Sequence, residues 1–175
     1  MKKEIEIKIK VEDFEDVIKK LEGRGCLISL PIYHDDSTFV NYDGDYLVFP
    51  DGANYLRIRK TKDKVYFTLK RGSEMNSIER EVEISDADQM KDAIQFMGYN
   101  EVTNVCKTRM KTTLGEYEIC FDDVLGLGKF IEVEKMTDED SEKVQLEMLE
   151  LLSDLGVAIG ERVFNGYDTL MYIKK

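Results

Sequence analysis

Hydrophobic and polar residues alternate with a period of two along most of this chain, which is the pattern of β-strands. Residues 4–11 show it most clearly, since Ile5, Ile7 and Ile9 share one face and charged residues share the other. Six further segments alternate in the same way, around residues 55–59, 65–70, 79–84, 106–111, 116–122 and 131–134. The pattern therefore predicts at least seven strands.

Three other segments have the spacing of amphipathic helices. The first runs from about Asp13 to Glu22, and the second begins at an N-cap in Ser85–Asp88 and ends at Gly98. The third opens in an acidic stretch at Asp138, where carboxylates suit the positive end of the helix dipole, and ends at Gly156. Strands and helices in this arrangement predict an α+β protein.

The polar faces of the seven strands carry ionised residues in place of Ser, Thr or Gln. One such strand indicates little, because a half-buried antiparallel strand normally has a charged face towards solvent. Seven together favour a sheet that curls into a barrel, with the charges inside and the helices packed outside. Charges of both signs in a lumen are costly unless they pair or hold a ligand.

The inward charges suggest what that ligand is. Lysine and arginine are the natural partners of phosphate, and the carboxylates would repel a phosphate unless a hard divalent cation lay between them. The basic members are Lys8, Lys10, Arg57, Arg59, Lys70, Lys107, Arg109 and Lys111. The acidic members are Glu4, Glu6, Asp122, Glu132 and Glu134.

Composition narrows the classes of function. The 175 residues fit a single domain spanning 1–175, and the net charge of −11 makes nucleic acid and anionic membranes poor partners. Charged residues follow Met1 too soon for the apolar core of a signal peptide, so we expect a cytoplasmic protein.

The cysteines and the histidine offer few candidates for chemistry. The three cysteines lack the spacing of metal ligands, so we expect them to be small apolar residues that fill space in the core, here called fillers. We expect the single histidine, His34, to be a loop residue rather than a catalytic base.

The charged residues fall in short motifs, and the first is Glu4-Ile5-Glu6-Ile7-Lys8. Further motifs follow in order: Leu56-Arg57-Ile58-Arg59, Thr68-Leu69-Lys70, Glu79-Arg80-Glu81, Lys107-Thr108-Arg109, Phe121-Asp122-Asp123-Val124 and the glycine-containing block Gly126–Glu134. Together they resemble the ordered motifs of the CYTH superfamily, the triphosphate tunnel metalloenzymes, whose first motif is the ExExK signature. Tyr167-Asp168-Thr169-Leu170 is a weaker echo near the end of the chain.

The resemblance implies an eight-stranded antiparallel closed barrel, a tunnel that binds a triphosphate with Mg²⁺ or Mn²⁺. It implies catalytic roles for Glu4, Glu6 and Lys8. By matching position, the phosphate contacts would be Lys8, Arg57, Arg59, Lys70, Lys107 and Arg109. The metal ligands would be Glu4, Glu6, Asp122, Glu132 and Glu134. Removing Glu132 or Glu134 is then expected to relieve repulsion and to leave stability unchanged or higher. The resemblance also suggests a homodimer.

Three functions remain open. A class IV adenylate cyclase makes cyclic AMP and pyrophosphate from ATP, and the overall pattern is most similar to that subgroup. A triphosphatase would hydrolyse thiamine triphosphate, a nucleoside triphosphate or tripolyphosphate. A non-catalytic protein would bind nucleotide or polyphosphate. The cyclase subgroup's D-x-Y-F element appears here as Asp36-Ser37-Thr38-Phe39, without the tyrosine, and residues 41–55 are rich in loop-forming residues.

Overall fold

The computed structural model describes residues 2–41, 53–73 and 76–174, so most of the predicted loop before Leu56 lies outside it. The strands are β1 (Lys3–Val11), β2 (Ile32–Val40), β3 (Asn54–Lys60), β4 (Val65–Ser73), β5 (Asn76–Ile84), β6 (Asn100–Leu114), β7 (Tyr117–Val124), β8 (Gly128–Thr137) and β9 (Arg162–Val163). The helices are α1 (Glu15–Gly23), α2 (Ala87–Phe96), α3 (Ser141–Asp154) and α4 (Tyr167–Lys174).

All nine strands belong to one antiparallel sheet in the order β5-β4-β3-β2-β6-β7-β8-β1-β9. One edge of β1 pairs with β8 along the whole strand. The other edge is shared, because β5 pairs with it only at Glu4 and Ile5, and β9 pairs at Lys8 and Ile9. The predicted closed eight-stranded barrel is wrong in two respects. The described residues form nine strands, and the seam between β1 and β5 is not closed along its length.

The outer face of the sheet is apolar and covered by helices, as the alternation predicted. Ile5, Ile7 and Ile9 of β1 are fully buried against α1 and α3, in a cluster that includes Leu21 and Met148. Burying each such side chain contributes about 1.5–3 kcal/mol. A second cluster places α2 on β3 and β4. Because strand side chains alternate, this packing turns the charged faces towards the inside.

The sequence did not predict β2, β9 or α4. The prediction for His34 was also wrong, because this residue lies buried within β2 and not in a loop. Burial, followed by the nearby Arg59 cation, lowers the pKa of His34 to about 3, which keeps the imidazole neutral. Residues 42–52, including Pro50 of the predicted loop, lie outside the described part of the chain.

Two glycines of the last motif lie at the turn between β7 and β8. Gly126 and Gly128 adopt positive φ angles of 84° and 103°, a conformation that favours glycine. Cys26 and Cys120 are buried and unbonded to other cysteines, as expected of fillers, whereas Cys106 is unbonded but only partly buried. Within residues 2–41, 53–73 and 76–174, no helix combines the length and the apolar character needed to cross a membrane.

Candidate active site

The inward faces of the strands line a cavity of about 450 Å³. Ten of the eleven residues that the sequence predicted for the site line it: Glu4, Glu6, Lys8, Arg57, Arg59, Lys70, Lys107, Arg109, Glu132 and Glu134. The eleventh, Asp122, is fully buried in the wall behind the lining side chains. Lys111 lies at the rim and pairs with Glu118 at 3.0 Å, whereas Lys10 is exposed and does not line the cavity.

Two arginines of the cavity are fixed by bidentate pairs with buried aspartates. Arg59 donates to Asp36 from Nε at 2.8 Å and from Nη2 at 2.7 Å. Arg109 donates to Asp122 in the same way, at 2.7 Å and 2.6 Å. Burial alone would raise the pKa of both carboxyls, but the adjacent guanidinium outweighs it and lowers both. A guanidinium has five N–H donors, so the bidentate pair of Arg59 leaves others for a ligand. Arg109 also donates to Glu132 and Glu134 and has fewer left.

Lysine 8 has a similar carboxylate partner. Its Nζ lies 3.1 Å from Glu132 and 3.6 Å from Glu6, and the side chain is almost completely buried. Burial opposes the charged ammonium, yet Glu132 and Glu6 together raise the pKa of Lys8 above its usual value. Glu132 also accepts a hydrogen bond from Arg109, and its pKa is lowered because the two cations outweigh burial. Glu132 therefore holds cations in place.

On the opposite wall, Arg57 and Lys70 share the acidic residues of β5. Arg57 lies 3.2 Å from Glu81 and 3.8 Å from Glu79, and Lys70 pairs closely with Glu79. Thr68 donates a hydrogen bond to Glu81 at 2.8 Å, which fixes that carboxylate. The Nε atom of Arg57 is buried and has no hydrogen-bond partner in the described residues. An unsatisfied buried donor on a cavity wall indicates a missing acceptor.

Three carboxylates have too few cations near them. Glu4, Glu6 and Glu134, here called the carboxylate trio, place oxygen atoms within 4.8 Å of one another. Burial, and then repulsion from Glu134 and Glu79, raises the pKa of Glu4 to about 7. Burial raises the pKa of Glu6 to about 8 despite the attraction of Lys8. Burial also raises the pKa of Glu134, although Arg109 is 3.3 Å away.

The carboxylate trio fits a hard divalent cation. Oxygen donors are the ligands that Mg²⁺ prefers, and a cation between the carboxylates would offset the repulsion that now raises their pKa values. Asp122 and Glu132, which the sequence also predicted as metal ligands, instead engage lysine and arginine. The structure thus separates the five predicted ligands into a trio with raised pKa values and a pair with lowered ones.

Sequence reasoning missed several residues of the cavity. Asp36, Tyr55, Glu79, Tyr167 and Asp168 line it, and none was assigned a role. Tyr167 and Asp168 stand in the segment that echoes the superfamily near the end of the chain, so a signal for them was present. Asp36 begins the element Asp36–Phe39, which departs from the subgroup's motif because it lacks the tyrosine.

Comparisons with known proteins agree with this geometry. A protein of Methanocaldococcus jannaschii named "Putative adenylate cyclase" is 31% identical over 162 residues, which cover 89% of this chain and 90% of that protein. The PH1819 protein of Pyrococcus horikoshii is 26% identical, with a TM-score of 0.80, and the match covers 98% of this chain and 99% of that one.

A Hippeastrum structure is more distant in sequence. It is 16% identical, has a TM-score of 0.64, and the match covers 99% of this chain and 96% of that one. That protein is named a putative adenylyl cyclase and has a dominant triphosphatase activity, and at this identity the likeness shows the fold alone.

The model of the CYTH domain matches residues 2–164, which include every residue lining the cavity except Gly166, Tyr167 and Asp168. With the ordered motifs, the charged cavity and the similar proteins in agreement, the chain belongs to the CYTH family.

Proposed function

We propose that this protein is a metal-dependent enzyme that acts on a triphosphate held in the cavity, and that its reaction is the cyclase reaction, ATP to cyclic AMP and pyrophosphate. The main support for a triphosphate ligand is the way in which the side chains that line the cavity pair with one another. Arginines and lysines from β1, β3, β4 and β6 converge on one cavity, each held by a carboxylate, with donors left over.

The cationic wall would bind the phosphates. Arg57, Arg59 and Arg109 are fixed before any ligand arrives, so little side-chain entropy is lost on binding. The unpartnered Nε of Arg57 would donate to a phosphate oxygen. Lys70 and Lys107 add positive charge on two sides of the cavity. Such preorganised donors stabilise charge that shifts among phosphate oxygens during the reaction.

The carboxylate trio would hold Mg²⁺ or Mn²⁺. A bound cation would neutralise phosphate charge and polarise the phosphorus centre under attack. Glu4, Glu6 and Glu134 must be ionised to bind it, so binding would release protons where their pKa values are raised. Lys8 lies beside Glu6 and would contact the phosphates from the same strand.

In the cyclase reaction the 3′-oxygen of ATP attacks the α-phosphorus, the bond from that phosphorus to the bridging oxygen breaks, and pyrophosphate leaves. The 3′-hydroxyl loses its proton. The support for this reaction is the family and the name of the M. jannaschii relative, which is similar over nine-tenths of its length.

A triphosphatase is the second candidate, because the same fold has a dominant triphosphatase activity in the Hippeastrum protein. Here water attacks the terminal phosphorus, the bond from that phosphorus to the bridging oxygen breaks, and the diphosphate leaves. Orthophosphate is the other product, and the same cations and carboxylates are in use. A non-catalytic phosphate-binding protein would need the basic wall but not the carboxylate trio. The cost of placing three carboxylates close together would then have no functional reason.

Product identification separates these candidates. Purified protein is incubated with ATP, thiamine triphosphate or tripolyphosphate, each with Mg²⁺, Mn²⁺ or EDTA, and products are resolved by ³¹P NMR and chromatography. Cyclic AMP with pyrophosphate supports the cyclase, and orthophosphate supports the triphosphatase. Unchanged substrates in the presence of both metals would contradict both proposals, and turnover that persists in EDTA would contradict the role of the trio.

A further inference from the structure

Tyr167 is the first residue of α4 and begins the Tyr167–Leu170 motif, to which no function has been given above. Its side chain lines the cavity although only 7% of the residue is exposed. The ring packs edge-on against Phe130 of β8, with the centroids 5.1 Å apart. An apolar cluster with Val105 and Val124 surrounds the two rings and anchors α4 against the sheet. Tyr167 is therefore held rigidly.

The ring of Tyr167 contacts two lysines of the site. The Nζ of Lys8 lies 4.3 Å from the ring centroid, and the Nζ of Lys107 lies 4.7 Å from it. These lysines come from β1 and β6, which are separated in the sheet by β7 and β8. An aromatic face attracts ammonium groups, most strongly where water is excluded. One ring thus holds two like charges that arrive from different strands.

The segment before α4 fixes Lys8 from a second direction. The Nζ of Lys8 donates a hydrogen bond to the backbone carbonyl of Asn165 at 3.2 Å. That carbonyl lies just after β9, the short strand that fills the part of the β1 edge left by β5. The position of Lys8 therefore depends on both Asn165 and Tyr167, which lie outside the strands that form the rest of the cavity.

The hydroxyl of Tyr167 is buried and makes no hydrogen bond of acceptable geometry to any described residue. A buried tyrosine hydroxyl usually has a partner. The carboxylate of Asp122 is near the hydroxyl and influences its pKa. It accepts three hydrogen bonds from Lys107 and Arg109. Burial, and then Glu132 and Asp122, raises the pKa of Tyr167, so the hydroxyl keeps its proton and remains a donor.

We propose that Tyr167 is a positioning and binding residue: its ring fixes Lys8 and Lys107 in the cavity, and its hydroxyl donates a hydrogen bond to an anionic oxygen of the bound triphosphate. The second half rests on the proposed function. The first half concerns the protein without ligand and can be tested alone.

The ring is tested in the ligand-free protein by NMR of selectively labelled lysine. The ε-methylene signals of Lys8 and Lys107, assigned through Lys8→Arg and Lys107→Arg, should carry ring-current shifts. Tyr167→Leu should abolish these shifts, and Tyr167→Phe should retain them. Tyr172→Phe, on the same helix but not lining the cavity, is the matched control. Signals that Tyr167→Leu leaves in place would overturn the positioning role.

The hydroxyl is tested by calorimetric titration with tripolyphosphate and Mn²⁺. Tyr167→Phe should weaken binding by about tenfold, the loss expected for one hydrogen bond to a charged group, whereas Tyr172→Phe should not weaken it. If Tyr167→Phe lowers the melting temperature but binds as tightly as the wild type, the hydroxyl serves the fold and this half is wrong. If the wild type does not bind, the proposed function fails with it, and the NMR result still decides the role of the ring.

Turnover separates positioning from binding. Tyr167→Phe should raise KM and leave kcat near the wild-type value, since the ring still holds both lysines. Tyr167→Leu should lower kcat about tenfold relative to Tyr167→Phe, because a loosely held Lys8 stabilises the transition state less well. Equal kcat values for the two variants would contradict a positioning role for the ring.

Discussion

Replacing Glu6 by glutamine tests whether the carboxylate trio destabilises the metal-free protein. The pKa of Glu6 rises from 4.5 to about 8 in the fold, so the folded state binds more protons than the unfolded chain between these pH values. Stability must therefore fall as pH rises through this window. The Glu6→Gln variant has no charge to lose at this position and should escape the fall.

The magnitude follows from the shift. Each pKa unit corresponds to about 1.4 kcal/mol, so ionising Glu6 costs the fold roughly 4 kcal/mol by pH 8. Glutamine also loses the contact with Lys8 at 3.6 Å, which offsets part of the gain. We expect a net stabilisation of about 2 kcal/mol at pH 8, or roughly 5 °C in melting temperature for a chain of this size. At pH 5 the variant and wild type should be nearly equal.

The assay is urea unfolding followed by circular dichroism, in EDTA, at pH 5 and pH 8. Adding Mg²⁺ at pH 8 should stabilise the wild type more than the variant, because the variant lacks one ligand. A variant that is less stable than the wild type at pH 8, or a difference that does not depend on pH, would refute the account of the trio.

Three further predictions concern neighbouring groups. Glu132→Gln should destabilise the protein by about 3 kcal/mol in urea unfolding, because it leaves the buried Lys8 without its carboxylate partner at 3.1 Å. Glu134→Gln should not destabilise it, because the pKa of Glu134 is raised. Equal losses of stability would contradict the separation of the carboxylates into a trio and a pair. Lys8→Ala should lower kcat by about 10², whereas Lys70→Ala should act mainly on KM, in assays at saturating metal; a normal kcat for Lys8→Ala would limit that residue to charge neutralisation. Mn²⁺ binding should release protons between pH 6 and pH 8, because the pKa values of Glu4 and Glu6 are about 7 and about 8. Calorimetry in buffers of different ionisation enthalpy measures this release, and a binding enthalpy that is the same in all buffers would contradict the prediction.

The inward faces of most strands could be predicted because alternation is a local property. In β1, for example, Ile5 and Ile7 identify the outer face, and Glu4, Glu6 and Lys8 must then point inward. No knowledge of neighbouring strands is needed for this step.

The charge pairs could not be predicted, because they depend on which residues face each other across strands. Glu132 and Glu134 lie two residues apart on the same face of β8, yet their pKa values move in opposite directions. Register places Lys8 opposite Glu132 and Glu6 opposite Glu134. The expectation that removing Glu132 would relieve repulsion conflicts with this register, since Glu132 compensates two cations.

The elements that the sequence missed lack a strong local pattern. Strand β2 contains the adjacent acids Asp35 and Asp36, which break the alternation, and β9 has only two residues. Helix α4 has eight residues, too few for a clear helical period. Tertiary contacts specify these elements, and α4 places Tyr167 in the lining of the cavity.

The most direct test of the central claim is a crystal structure of the protein with tripolyphosphate and Mn²⁺, with the metal located by its anomalous scattering. The account predicts Mn²⁺ bound by at least two carboxylates of the trio, with phosphate oxygens beside Arg57, Arg59 and Arg109. Metal bound away from Glu4, Glu6 and Glu134, or phosphate bound on the outer surface of the protein, would contradict it.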